Sequence, residues 1–339
     1  MKALILAAGP GTRLLPYTHS TPKHMLPIAN KPLLEFNVEQ VAAMGIRQLG
    51  IVVGHRKEQI IDYFGNGNRW GLEITYIEQN DRLGIPHAIG MAQEFIGLDP
   101  FVVILGDNLF WDDLNEKMEE FISSGAEAAV GVQEVDDGRY YGIAIMEGDR
   151  IINIVEKPEN PPSNVATVGL YFFASPAVFD IIKNQKPSAR GELEIADTLM
   201  GVIRSGEELN PIRILKRWKD TGRKPELLDA NKAILEEAGG NDVAKGVQVI
   251  NSIIHSPCVI GSGCKISNSE IGPFVSIGKN CTMEGVKISN SIVCESSIIH
   301  FSEPIGNSII GRKCRLLKSG SPILSVNIGD HSEIIEDDS

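Results

Sequence analysis

Apolar residues first gather in a run over positions 3–7, which breaks into the loop Ala8-Gly9-Pro10-Gly11-Thr12-Arg13. A short apolar run bounded by turn residues predicts a buried strand over 2–7. Pro32 then opens a predicted helix with apolar Leu33, Leu34, Phe36, Val41 and Met44, and Gly45 stops it where a left-handed cap is favoured. Residues 49–53 return as a strand, and the apolar runs 101–105, 128–132 and 169–173 repeat the pattern as far as about residue 240. This alternation predicts an α/β fold with a mostly parallel sheet covered by helices. Ligands of such sheets lie beyond the carboxyl ends of the strands, where Gly9 and Asp107 fall.

After Gly239-Gly240-Asn241-Asp242 the texture changes to short β-rich pieces broken by Gly, Ser and Asn. Apolar residues recur every six positions: Ile254, Ile260 and Ile266, then after a one-residue slip Ile271, Ile277 and Met283. A third phase carries Ile292, Ile298, Ile310, Leu316, Ile328 and Ile334, with Pro304 and Pro322 in its two gaps. A six-residue period predicts a parallel β-helix whose coils stack like residues in a central column. The expected domains are therefore 1–240 and 241–339.

At 339 residues, with 42% hydrophobic and 22% charged positions, the chain suits two globular domains. Its apolar stretches are far shorter than the roughly 18 residues of a spanning helix, and the first run enters a glycine loop rather than a cleavage site. No membrane association is expected, and the expected location is cytoplasmic. A net charge of −12, with no basic cluster to offset it, argues against a nucleic-acid surface. Cys258, Cys264, Cys281, Cys294 and Cys314 are odd in number and form no C-x-x-C pair. They are expected to be buried packing residues rather than disulfides or metal ligands.

The glycine loop is the first candidate for chemistry. A buried strand that feeds such a loop brings backbone N–H groups against a polyphosphate, because glycine has no Cβ to hold the ligand away. The spacing G-x-G-T-R is neither a Walker A motif nor a dinucleotide fingerprint. The ordered set Gly9, Gly11, Thr12, Arg13, Pro16, Lys23, Pro27, Lys31 and Pro32, starting from Leu6, resembles the signature of the sugar-1-phosphate nucleotidylyltransferases. Within them it is most similar to the long-form glucose-1-phosphate thymidylyltransferases. The segments 271–276 and 277–282 resemble the hexapeptide repeat of left-handed β-helices. Together these likenesses imply a Rossmann-like nucleotidyltransferase domain followed by a left-handed parallel β-helix.

The resemblance implies transfer of a nucleotidyl group from dTTP, or alternatively UTP, to glucose-1-phosphate. It makes Leu6, Gly9, Gly11, Thr12, Arg13, Gln79, Gly84 and Asp107 nucleotide-binding, and Arg13 and Lys23 catalytic. Such a transfer needs cations and alignment rather than a general base, since the attacking phosphate is already an anion. Arg13 offers a planar fork to the leaving pyrophosphate, and Lys23 a point charge near the α-phosphate. A glutamine amide such as Gln79 presents a donor and an acceptor that match the edge shared by thymine and uracil. Asp107 and Asp220 are the implied ligands of a Mg2+ cofactor, which suits two hard oxygen donors completed by phosphate oxygens. Tyr141, Gly142, Glu156, Lys157, Val168, Arg190 and Trp218 are the implied sugar-phosphate residues; Glu156 accepts from hydroxyls while Lys157 and Arg190 pair with the phosphate.

Two departures from the pattern stand out. Ala8 occupies a position where short-form relatives usually have glycine, and the stretch 81–87 lacks the usual small residues after the base-reading glycine. A non-catalytic, sugar-nucleotide-binding homologue is the alternative from another class, but Arg13, Lys23, Asp107, Lys157 and Asp220 are all present. Some β-helices act as acyltransferases through a histidine between coils. Here, with about five coils and no acyl-CoA loop, His255, His300 and His331 are assigned no chemistry, and a structural or oligomerisation role is expected. Homo-oligomers are known both through β-helix faces and through the catalytic domain, so self-association is a further expectation.

Overall fold

A computed structural model describes residues 1–318 and 327–335. The chain divides into two compact units, Met1–Gly9 with Leu34–Lys219 and Pro10–Leu33 with Asp220–Ser339.

The first unit is built on a mixed sheet. The strand Lys2–Ala7 lies at its middle, paired in parallel with Gln48–Val53 on one side and Phe101–Leu105 on the other; Glu73–Glu78 extends the parallel part. Residues 3–5 are fully buried, as their unbroken apolar run demands of a strand covered on both faces. The expected parallel order holds for this half. Beyond Phe101–Leu105 the long strand Val165–Phe173 runs antiparallel, with Ala128–Glu134 and the hairpin Gly142–Glu147/Arg150–Glu156 paired against it. Gly148, at φ 59°, makes the tight hairpin turn whose short reach forces antiparallel pairing. The helix expected from Pro32 runs over Leu33–Ala43 and ends before Gly45 at φ 71°. Phe101 stacks on Phe179 of the helix Ala177–Asn184 with ring centroids 5.7 Å apart, which ties that helix to the sheet.

The second unit contains a left-handed parallel β-helix, preceded by the helix Lys224–Ala238. Three parallel sheets form its sides. Cys258 pairs with Val275 and Val275 with Ser291, so coils advance by seventeen residues and then by sixteen. Ile260, Ile266, Ile271, Ile277 and Met283 line the interior as their period predicts. In the third phase Ile310 and Leu316 line the interior as expected, while its first coil is corrected by one residue: Val293 stacks on Ile277 and Ile299 on Met283. Ile298 is only half-buried, and Ile292 lies on the other face of its strand, which packs against the helix Lys224–Ala238. The physical cause is a coil one residue shorter than the one before it, and in a strand of period two a shift of one place exchanges the inward and outward faces. Ile305, next to Pro304, fills the first gap in the column; Pro322 lies outside the described residues.

All five cysteines are free and buried. Cys258, Cys264, Cys281 and Cys314 line the β-helix interior. The change of texture near residue 240 coincides with the helix end, where Gly239 takes φ 70°. The compact units group the signature segment 10–33 with the β-helix. Among the described residues, no helix is long and apolar enough to cross a membrane.

Candidate active site

In the first unit the strand ends gather four groups of expected site residues. Leu6 sits in the central strand, and its carbonyl accepts from Gly106 N–H at 3.0 Å, which sets the turn that displays Asp107. Gly9 follows, exposed at the strand's carboxyl end. Ala8, the departure from the glycine pattern, is accommodated by another glycine: a Cβ on Gly54 would lie 2.8 Å from the Ala8 carbonyl oxygen.

Asp107 is held by a residue that sequence reasoning did not single out. Asn108 is 3% exposed, and its Nδ2 donates to Asp107 Oδ1 at 3.0 Å. Its Oδ1 accepts from Trp218 Nε1 at 2.7 Å and from Gly169 N–H at 3.3 Å. One buried amide thus joins the expected metal ligand to the expected sugar residue Trp218. Gly169 is required here, since a Cβ would come within 2.7 Å of Asn108 Oδ1. The signal for Asn108 was the polar pair Asp107-Asn108 at the end of an apolar run, which by itself reads as an ordinary loop.

The Tyr141 ring meets Trp218 edge-on, with centroids 5.4 Å apart. Gly142 is packed so closely that a Cβ would lie 3.2 Å from Glu156 Oε2. Glu156 Oε1 is 3.4 Å from Lys157 Nζ and 3.5 Å from Arg190 Nη2. Glu194 holds Arg190 through both of its carboxylate oxygens, at 3.1 and 2.7 Å, a bidentate pairing that orients the guanidinium. Val168 is buried in its strand, with its side chain toward Gly131. Burial pushes the Tyr171 phenol up, with the carboxylates of Glu156 and Asp107 adding to the effect.

Gln79 is 7% exposed, and its Nε2 lies 2.8 Å from His87 Nδ1. Gly84, at φ 102°, bridges to Leu193; Leu193 N–H donates to the Leu83 carbonyl at 2.8 Å. The base-reading stretch and the 190–194 stretch are therefore tied backbone to backbone.

In the second unit the signature loop folds into three short 3-10 turns, Thr12–Leu14, Tyr17–His19 and Lys23–Met25. Gly11, at φ 67°, accepts from Thr18 Oγ1 at 2.8 Å, and a Cβ there would lie 2.9 Å from Lys23 Cβ. This close approach, which only glycine permits, draws Lys23 back against the loop that bears Thr12 and Arg13. Thr12 and Arg13 are exposed, and Lys23 is half-buried. Asp220 Oδ1 accepts from Gly222 N–H at 2.9 Å; a Cβ on Gly222 would lie 3.2 Å from Arg13 Nη2. The segment that follows Asp220 thus stands beside the Arg13 guanidinium.

As magnesium ligands, Asp107 and Asp220 have the right donor chemistry: both are half-buried carboxylates, Asp107 in a turn and Asp220 at the end of the strand Trp218–Asp220, each accepting a hydrogen bond on Oδ1. Among the described residues no group of three or more His, Cys, Asp or Glu converges, and a magnesium ion that draws on phosphate oxygens needs only one or two carboxylates. A separate cavity of about 540 Å³ lies along the helices Ala177–Asn184 and Ile195–Arg204, lined by Asp180, Lys186, Asp197 and Arg204. It contains none of the expected site residues.

Residues 2–237 match the nucleotidyl transferase family. The chain is 36% identical over 351 residues to a glucose-1-phosphate thymidylyltransferase of Streptomyces griseus, covering 98% of each chain. It is 38% identical to the low-salt glycan biosynthesis nucleotidyltransferase Agl11 of Haloferax volcanii, covering 92% of each. Among solved structures, UDP-glucose pyrophosphorylase complexed with UDP-glucose superposes with a TM-score of 0.63 at 30% identity, over 70% of this chain and 98% of that one. The glycine loop, the strand-end carboxylate and the near-full-length similarity agree, and the chain belongs to the nucleotidyl transferase family, as a sugar-1-phosphate nucleotidyltransferase.

Proposed function

We propose that the protein is a magnesium-dependent glucose-1-phosphate thymidylyltransferase. The observation that carries this reading is the match of 98% of the chain to 98% of a thymidylyltransferase, with Arg13, Lys23, Asp107, Lys157 and Asp220 all present in order. A phosphate oxygen of glucose-1-phosphate attacks the α-phosphorus of dTTP. The bond from that phosphorus to the α–β bridging oxygen breaks, and pyrophosphate leaves with the electron pair. Lys23 offsets charge at the α-phosphate, and Arg13 binds the departing pyrophosphate. Glu156 orients the sugar through its hydroxyls, and Lys157 and Arg190 hold its phosphate against the anion-anion repulsion that otherwise blocks the approach. Gln79 reads the base edge, while Gly84 keeps the backbone beside it open. Asp107 and Asp220 would hold magnesium, whose charge would neutralise the triphosphate oxygens when bound.

UTP is the second reading. An amide at Gln79 meets the same donor and acceptor in uracil as in thymine, and the similarity to UDP-glucose pyrophosphorylase favours weighing it. The deciding experiment is pyrophosphate release from glucose-1-phosphate with dTTP, UTP, CTP, ATP and GTP at equal concentration. Preference for dTTP is expected. Preference for UTP would rename the enzyme, and no release with any of the five, or with other hexose phosphates, would favour a binding-only homologue.

A further inference from the structure

We propose that the β-helix positions the loop that carries Arg13 and Lys23, which makes the C-terminal coils part of the transfer machinery rather than an appended oligomerisation module. The roles of Arg13 and Lys23 in this inference rest on the transfer reading above.

Three anchors fasten the loop to different coils. Tyr17 is 2% exposed, and its hydroxyl donates to the Ile309 carbonyl at 3.0 Å. Asp330 uses both oxygens: Oδ2 accepts from Ser20 Oγ at 2.6 Å and Thr21 Oγ1 at 3.1 Å, and Oδ1 accepts from Arg312 N–H at 2.6 Å. One carboxylate thereby links the loop to the coil backbone. Asn30 Nδ2 donates to the Ile277 carbonyl at 2.7 Å. Next to this anchor, Asn231 Oδ1 of the Lys224–Ala238 helix accepts from both Ala29 N–H at 2.9 Å and Ser276 Oγ at 2.6 Å. Gly329 packs directly on the loop, since a Cβ there would lie 3.3 Å from Pro16.

The placement of these anchors gives them their consequence. Tyr17, Ser20 and Thr21 lie between Arg13 and Lys23, so the fastened segment separates the two cations and sets their spacing. Its three-residue 3-10 turns have little stability of their own. A rigid stack of parallel coils supplies the order that the loop lacks. In-line displacement is sensitive to such order, a misplacement of about 1 Å costing on the order of a hundredfold in rate.

The test compares pyrophosphate release by the wild type, Asp330→Ala, Tyr17→Phe and the double variant. Asn290→Ala serves as the control; it removes an exposed bond to Asn307 on the β-helix and touches no loop residue. The expected result is a kcat lowered about tenfold in Asp330→Ala and further in the double variant, with KM for glucose-1-phosphate unchanged and Asn290→Ala at wild-type kcat. Wild-type kcat in the double variant, or an equal loss in Asn290→Ala, would overturn the proposal. If Asp330→Ala does not fold, Ser20→Ala with Thr21→Val removes the same bonds from the loop side and is judged by the same criteria. A wild type that releases no pyrophosphate with any nucleotide refutes the transfer reading instead. Hydrogen exchange of amides 11–23 then decides the anchoring by itself: faster exchange in the double variant than in Asn290→Ala supports it, and equal exchange overturns it.

Discussion

Nε2 of Gln79 lies 2.8 Å from Nδ1 of His87, in the first turn of the helix Ile85–Met91, so the amide expected to read the base is itself oriented by a ring nitrogen. An amide nitrogen is a donor only, which assigns Nδ1 as the acceptor and places the ring proton on Nε2. With the ring removed, the amide is free to turn over and offer the wrong edge. His87→Ala is expected to raise KM for the nucleotide about five- to tenfold, the effect of roughly one hydrogen bond, with kcat changed less. Steady-state kinetics with dTTP and with UTP check this; an unchanged KM for both would remove His87 from base reading.

Asn108 gives a second outcome. Its Oδ1 serves Trp218 Nε1 and Gly169 N–H in a buried place. Asn108→Leu leaves both donors unsatisfied and is expected to lower stability by about 2–4 kcal/mol. Denaturant unfolding measures the loss. Because Asp107 also loses the bond from Asn108 Nδ2, the magnesium concentration for half-maximal activity should rise in any folded fraction.

Gly84 has no room for a side chain. A Cβ would fall 2.2 Å from the Leu193 carbonyl oxygen, at a φ of 102° that L residues rarely adopt. Gly84→Ala is expected to cost at least about 1–3 kcal/mol and to raise KM for both substrates, since the bridge joins the base-reading stretch to Arg190. Thermal unfolding and substrate titration would show it; a wild-type melting temperature would contradict the clash.

Lys23→Ala should lower kcat by about a hundredfold or more, the scale of one lost transition-state charge contact. Asp220→Asn should alter the magnesium dependence of the rate. A near-normal kcat in the first, or an unchanged metal titration in the second, would take that residue out of the proposed mechanism.

Cys294 supplies an alkaline signature. Burial, with the Asp330 carboxylate next, pushes Cys294 from 9.0 up to about 12. A group whose folded value is raised contributes stability fully below its unfolded value, and that stability drains away as pH rises toward the folded value. Unfolding free energy should therefore decline between about pH 9 and 12. At pH 8 a disulfide reagent should label the native protein slowly and all five cysteines promptly after denaturation. Fast labelling of the native protein would contradict their burial.

Local pattern was enough for much of this. The strands 2–7 and 101–105, the glycine stop at Gly45 and the six-residue rhythm of the C-terminal part are consequences of neighbouring residues, which sequence displays directly. The glycine loop and the order of Arg13, Lys23, Asp107 and Asp220 were equally legible, because their spacing is a property of the chain. The register of the first coil in the third apolar phase was not: Ile298 and Ile299 are both apolar, and only the length of the preceding coil decides which one faces inward.

What required tertiary structure were the contacts that hold the site rather than form it. Asn108 gains its meaning from Trp218, 110 positions away, and the loop at Tyr17 meets a carbonyl 292 positions along the chain. Short-range periodicity carries no information about such pairs. The order of residues settles which elements form and which charged groups are available. Only the folded chain decided that the loop bearing Arg13 and Lys23 rests on the β-helix, because that choice depends on which buried donors and acceptors satisfy one another across distant segments.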